Sequence, residues 1–196
     1  PITNGDDIPV PFRRDEPGSN IDIIGIEKES NSVDSIFTEV IRNFWMAIYD
    51  GILEVKVEEE LLNKENLFTL MKRYFPKMAD NTKRNSSVWT NPRPYYDAVA
   101  NAGADESHHL FTETLKSVGK VKLYTSIIPE EEEMERTKVV FMRSLKMHVY
   151  TQKYNLSKTI AAVFICENRD GNKLLGHLEP PAHNEWKAKH WRDERN

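Results

Sequence analysis

The chain has 196 residues, 39% hydrophobic and 30% charged, which is enough apolar material for one sizeable domain and too much for a disordered segment. A formal net charge of −4 supplies no global basic field for nucleic acid. The single cysteine, Cys166, excludes an intrachain disulfide framework and a cysteine-based zinc site, and no apolar run approaches the ~20 residues of a membrane helix.

A reducing cytosol is the compartment that this composition fits. The opening PITNGDDIPV has neither the basic start nor the apolar core of a signal peptide. The lack of a starting Met fits an excised fragment. Residues 13–17 read as loop and 20–26, rich in Ile, as a strand entered by Gly18-Ser19. Ser32 is a good N-cap and Asp34 suits a first helical turn. Val33, Ile36, Phe37, Val40, Ile41, Phe44, Trp45 and Ile48 then recur at helical spacing, so a helix is expected over 33–49. Phe37, Val40, Ile41, Phe44 and Ile48 are its expected buried face, and Asp50-Gly51 stops it.

Leu53, Val55 and Val57 alternate with Glu54 and Lys56, the pattern of a half-exposed strand. Asn63 caps a second helix that carries Leu67, Leu70, Met71, Tyr74 and Phe75 on one face, and Pro76 closes it. Residues 20–75 thus read strand, helix, strand, helix. A long loop is expected over 76–94, followed by a short helix over 95–101 that Gly103 ends. No clear element emerges over 104–118.

Strands dominate from Gly119. Val121, Leu123 and Thr125 alternate with polar neighbours, and the acidic run 130–133 reads as a solvated turn. Residues 139–143 and 147–150 read as a hairpin. The continuous apolar run 160–166 suits a central buried strand. Residues 168–171 are turn chemistry, a short helix begins near Leu174, and Pro180-Pro181 ends it. The expected fold is α+β: a mixed, mostly antiparallel sheet of about five or six strands with helices packed on one face.

Chemistry is sparse. There is no HExxH, GxSxG, P-loop or GxGxxG. Asp105, Glu106, His108 and His109 cluster, but they read as a solvated loop before they read as a ligand set. No Ser-His-Asp constellation can be assembled from spacing alone, and no metal site is expected. Basic residues gather around the hairpin, with Arg143 and Lys146 at its turn, where a long cation can reach a phosphate on another domain. The alternative is a solvated hairpin. Between 76 and 96, Lys77, Lys83, Arg84 and Arg93 interleave with Trp89, Tyr95 and Tyr96, a composition that could grip single-stranded nucleic acid or serve as an ordinary surface loop.

The ordered series PGSNIDIIGIE, VIRNFWMAIYDGILEVKV, LNKENLFTLM, GKVKLY, VVFMRSLKMHVY, AAVFICENRDGNKLL and LEPPAHNEW resembles the second half of bacterial ATP-binding proteins of the GHKL type. That is the superfamily of gyrase, its chaperone relative, histidine kinases and mismatch-repair ATPases. Some of the proteins resembled lie near restriction or phage-defence loci. In many members a Gly-Thr enters the last strand of the ATP-binding domain; Gly18-Ser19 looks like that pair, with Ser in place of Thr. The resemblance implies that 1–26 is the tail of an upstream ATP-binding domain. It implies a transducer-like α+β domain over 27–187 and a charged tail over 188–196. It further implies ATP and Mg²⁺ in the parent protein, a homodimer or effector coupled to nucleotide state, and a cation from Arg143 or Lys146 toward the γ-phosphate. The ATP-binding motifs themselves are missing ahead of Gly18, so the isolated chain is expected neither to bind nor to hydrolyse ATP. The alternative expectation is a non-catalytic binding module for nucleic acid or a protein.

Overall fold

The computed structural model describes residues 33–76, 91–132, 134, 136–180 and 185–187. The expected strand over 20–26, the Ser32 cap and the Gly18-Ser19 pair lie outside the described residues. The fold is α+β, a mixed, mostly antiparallel five-stranded sheet with a separate two-stranded ribbon.

Helix α1 (Val33–Tyr49) forms where the apolar stripe places it. Phe37, Ile41, Trp45 and Ile48 are buried along one row at helical spacing, with Met46 and Ala47 beside them. Val40 and Phe44, expected in the core, are only half-buried because they fall to the flank of that row. Asp34 in the first turn accepts from Tyr74 Oη at 2.7 Å and from Arg73 at 3.3 Å, which ties α1 to α2 (Leu67–Tyr74). Burial, and then the Asp34 carboxylate, push the Tyr74 hydroxyl up to about 12.

The half-exposed strand is β1 (Val55–Val57), which pairs antiparallel with β2 (Glu60–Leu62). β2 is invisible to pattern because Glu58, Glu59 and Glu60 run together and leave no alternation. The order over this stretch is therefore helix, ribbon, helix. Asn63 opens the turn into α2: its Oδ1 accepts from Asn66 N at 3.3 Å, and Asn66 Oδ1 accepts from Asn63 N at 2.9 Å. Two amides are satisfied reciprocally, as in a capping box. Helix α3 (Arg93–Ala100) starts earlier than its sequence suggests, with Pro94 in the first turn, where a missing N–H costs nothing.

The main sheet comprises β3 (His108–Leu115), β4 (Gly119–Ile127), β5 (Thr137–Met142), β6 (His148–Tyr154) and β7 (Ile160–Cys166), in the order β3-β4-β7-β5-β6. Strand β7 is central, as its apolar run implies, and pairs parallel with β5; every other neighbour is antiparallel. Strand β3 fills the stretch that offers no clear element in sequence. Gly119 closes the β3–β4 turn at φ +76°, a conformation that favours glycine.

The sheet has two unequal faces. Ala161, Val163 and Ile165 of β7, with Val140 and Met142 of β5, join the core built by α1, α2 and α3. The opposite face is covered at one end by α4 (Arg169–His177), whose Leu175 packs on Val121 and Cys166 beside Trp186. Helices therefore lie on both faces rather than one. Residues 168–171 are the cap and first turn of α4: Asn168 Oδ1 accepts from Gly171 N at 2.9 Å. A Cβ at Gly171 would stand 1.8 Å from the Val118 carbonyl oxygen, so only glycine lets α4 approach this closely. No helix among the described residues is long and apolar enough to cross a membrane.

Replacing Ile41, fully buried in the row, by Ala should cost about 2–5 kcal/mol in chemical denaturation. Phe44→Ala should cost less, because part of that ring already meets water. Equal losses would mean that the buried row is misplaced.

Candidate binding face and polar clusters

Among the described residues the second sheet face is only partly covered. Beyond α4 it forms an open apolar groove of about 380 Å³. Its floor is Leu123 and Thr125 of β4, Ala162 and Phe164 of β7, and Val139 and Phe141 of β5. Thr137, Ile160, Tyr154 and Leu156 close one end, and none of the lining residues carries a charge. Tyr154 and Leu156 stand 43% and 60% exposed at the rim. Phe111 of β3 lies opposite Leu123 in the β3–β4 register, so it extends the apolar face toward the sheet edge, and it is 56% exposed.

The groove is walled on the α4 side by aromatic rings. Phe141 stacks on Tyr150 with ring centres 4.6 Å apart, and Trp186 meets Phe141 and Tyr150 edge-on at 5.7 and 5.6 Å. Trp186 is held by its Nε1–H, which donates to Glu179 Oε1 at 3.0 Å. The other oxygen of Glu179 pairs with Arg143 at 3.2 Å, and the Glu179 side chain is wholly buried. One carboxylate thus joins the end of β5, the end of α4 and the LEPPAHNEW segment.

Arg143 and Lys146 are therefore both engaged within the chain. Lys146, at φ +59°, pairs with Asp50 at the end of α1 at 3.4 Å. A phosphate contact from either cation would require that ion pair to part. Of the residues that suggested a nucleic-acid grip, Tyr95 is fully buried, and Tyr96 packs among Trp45, Tyr49 and Phe68. Arg93 donates to the carbonyls of Phe75 and Pro76. Lys77, Lys83, Arg84 and Trp89 lie outside the described residues.

A second cluster joins Asp105 and His108, which read in sequence as a solvated loop, to Asp97 and Ser126; His108 instead lies on β3 with its side chain largely buried. His108 Nδ1 sits 2.7 Å from Asp105 Oδ1, and His108 Nε2 sits 2.8 Å from Asp97 Oδ2 and 3.2 Å from Ser126 Oγ. Asp97 comes from α3, Asp105 from the following turn, His108 from β3 and Ser126 from β4. Serine, histidine and aspartate thus meet, but the roles are not those of a nucleophilic triad. A triad base needs a free Nε2 lone pair to take the hydroxyl proton. Here Nε2 faces a carboxylate more closely than it faces the hydroxyl, and Ser126 is buried. An imidazolium donating to two carboxylates satisfies all three groups. Burial alone would lower the His108 pKa; the hydrogen bonds to Asp97 and Asp105 outweigh it and raise the imidazole above its ordinary value. The His108 hydrogen bond, and then the Ser107 amide, hold Asp105 below its ordinary value. His109, adjacent in sequence, points to the opposite face, beside Phe111. Among the described residues no group of three or more His, Cys, Asp or Glu is arranged to hold a metal ion.

No protein-family model matches the chain, no curated protein matches it, and no solved structure matches it. The candidate sites rest on their own geometry.

Three expectations follow. His108 contributes stability that is fully present below its unfolded pKa and is lost as pH rises through the higher folded pKa. Urea denaturation should show His108→Asn costing more below pH ~6 than above pH ~8, and a pH-independent difference would remove the doubly paired imidazolium. Arg143→Ala should destabilise by about 3 kcal/mol, because it takes a cation away from a buried carboxylate. Lys146→Ala should cost less than about 1 kcal/mol, since Asp50 is partly solvated.

Proposed function

We propose that the chain is a non-catalytic protein-docking module, the transducer of an ATP-binding parent of the GHKL type that its sequence resembles. In this reading its open sheet face receives apolar side chains of the adjoining nucleotide-binding domain and passes nucleotide state to a dimer or an effector. The observation that carries the docking half is the uncharged groove of about 380 Å³ beside the Trp186 wall.

Such a face fits a protein partner better than a phosphate or a nucleic acid. Phosphates need cations or free backbone amides, and the lining offers neither charge nor a glycine-rich turn. An open groove of this size suits a few apolar knobs of a packed surface, and apolar burial at ~25 cal/mol per Å² would be its driving force. The described residues do not themselves fit ATP: the groove is apolar, and Arg143 and Lys146 are already paired with carboxylates. ATP and Mg²⁺ belong, on this reading, to the parent's other domain. A cytoplasmic setting agrees with a single free, buried cysteine.

A rigid platform is what a coupling domain requires. The Glu179 carboxylate ties Arg143 at the end of β5 and Trp186 to the end of α4. The groove floor is the outer face of β5 and β7, whose inner face is the main core.

The test is made in the parent protein with Leu156→Asp and Tyr154→Lys, both at the exposed rim. Each variant should keep ATP affinity and fold, but lose at least tenfold of the ATP-dependent step, on the order of 1.4 kcal/mol. Wild-type coupling in both variants would remove the docking face. A parent that binds no ATP would remove the transducer role and leave the groove as a docking site for another protein.

A further inference from the structure

We infer that the outer edge of β3 is a self-association surface, and that two copies of the chain join there as antiparallel strands about a twofold axis. This stands on the strand's own geometry and does not depend on what fills the groove.

The two edges of the sheet differ. Strand β6 carries Lys153 and pairs with β5 through a bulge at Phe141/Met142, both devices that discourage further pairing. Strand β3 runs eight residues, HHLFTETL, without Lys, Pro or a bulge. Leu110, Phe111 and Leu115 on it are 43%, 56% and 37% exposed. Among the described residues no strand pairs with its outer side.

The hydrogen-bond alternation shows which backbone groups face outward. Ile127 N donates to Ser107 O at 2.9 Å, which makes residues 107 and 127 a hydrogen-bonded pair. Alternation then directs the amides and carbonyls of His109, Phe111 and Glu113 toward β4, and those of Leu110, Thr112 and Thr114 outward. His108 is the exception at the outer edge. Its N–H is taken by Asp105 Oδ1 at 3.1 Å and its carbonyl accepts from Gly103 N at 3.0 Å. The free window therefore begins at Leu110.

We place the second copy in a register centred on Phe111, where the backbone ladder is limited to residues 110–112, because Thr114 of the mate falls opposite His108, whose outer groups are taken. Leu110 then exchanges both backbone bonds with Thr112 of its mate, and Thr112 does the same with Leu110. Phe111 faces its own copy, and His109 faces Glu113, twice over. Phe111 and the His109–Glu113 positions are non-hydrogen-bonded sites, where facing side chains come closest. Aromatic pairing and opposite polarity coincide in one self-complementary register, which is the requirement for an isologous contact. Shifting the centre to Thr112 would set Phe111 against Glu113 and His109 against Leu115, and lose both pairings.

The measurement is the solution mass of the full 196-residue chain by sedimentation equilibrium, with far-UV circular dichroism as the control for folding. Wild type should sediment at twice the chain mass. Thr112→Pro removes only an outward N–H, so it should give a folded monomer. Phe111→Lys, at an exposed position, should weaken association at least tenfold and serves if the proline variant fails to fold. Under mild oxidation Phe111→Cys should crosslink to its own copy and Thr112→Cys should not. A monomeric wild type overturns the proposal, as does a dimer indifferent to both edge variants. Crosslinking through position 112 in place of 111 overturns the register.

Discussion

Strand β7 lies in the middle of the sheet with apolar side chains on both faces, and most of the fold is arranged to cover them. A central strand cannot turn either face to water without exposing an apolar row. On one side, Ala161, Val163 and Ile165 are sealed by α1, α2 and α3 into the main core. On the other, Phe164 and Cys166 are sealed at one end by α4 and Trp186, while Ala162 stays at the floor of the groove. A small residue at 161 lets the helices of the main core approach the backbone, and one at 162 deepens the groove floor on the other side. Among the described residues the second layer stops where α4 ends, at His177.

Much of this was legible from periodicity. The seven-residue run IAAVFIC announces a central strand, the 33–49 stripe announces α1, and the short connection across SLK announces the β5–β6 hairpin. What escaped notice has a physical reason in each case. Strand β3 alternates weakly because nearly all of it is exposed, so the binary pattern that reveals a half-buried strand is missing. Strand β2 is hidden by three consecutive glutamates. Tyr95 and Tyr96 open the expected short helix and also stand beside the loop cations in sequence; the helix begins earlier, at Arg93, buries Tyr95 and packs Tyr96 against Trp45, Tyr49 and Phe68. The second-face position of α4 follows from Gly171, whose lack of a side chain permits contact with Val118, a relation that no window of sequence displays.

The polar clusters were illegible for a different reason. Asp97, Asp105, His108 and Ser126 come from four successive elements, and only the β3–β4 register sets His108 beside Ser126. Once assembled, their chemistry is decided by competition for one nitrogen. At 2.8 Å the Asp97 carboxylate holds Nε2 more closely than does Ser126 at 3.2 Å, and a carboxylate is the stronger acceptor. The cluster therefore anchors α3 and its turn to the sheet. The same reasoning governs Arg143 and Lys146. Their placement at the hairpin end was expected; their carboxylate partners, Glu179 and Asp50, come from distant parts of the chain.

The anchor and the open edge are mechanically linked. His108 ends the free window of β3 because Asp105 and Gly103 occupy its backbone groups, and those two residues are held there by the same turn that the imidazolium secures. Two residues further on, the backbone of Leu110 faces outward, where no strand among the described residues pairs with it, and Phe111 lies on the face that holds the groove. A twofold axis through Phe111, perpendicular to the sheet, would place both grooves on one side of a continuous sheet. The two grooves would then share one face, with Phe111 and the His109 and Glu113 positions between them. An edge and a groove that look like separate unfinished surfaces become, in that arrangement, parts of one larger face, with its register fixed by His109 and Glu113.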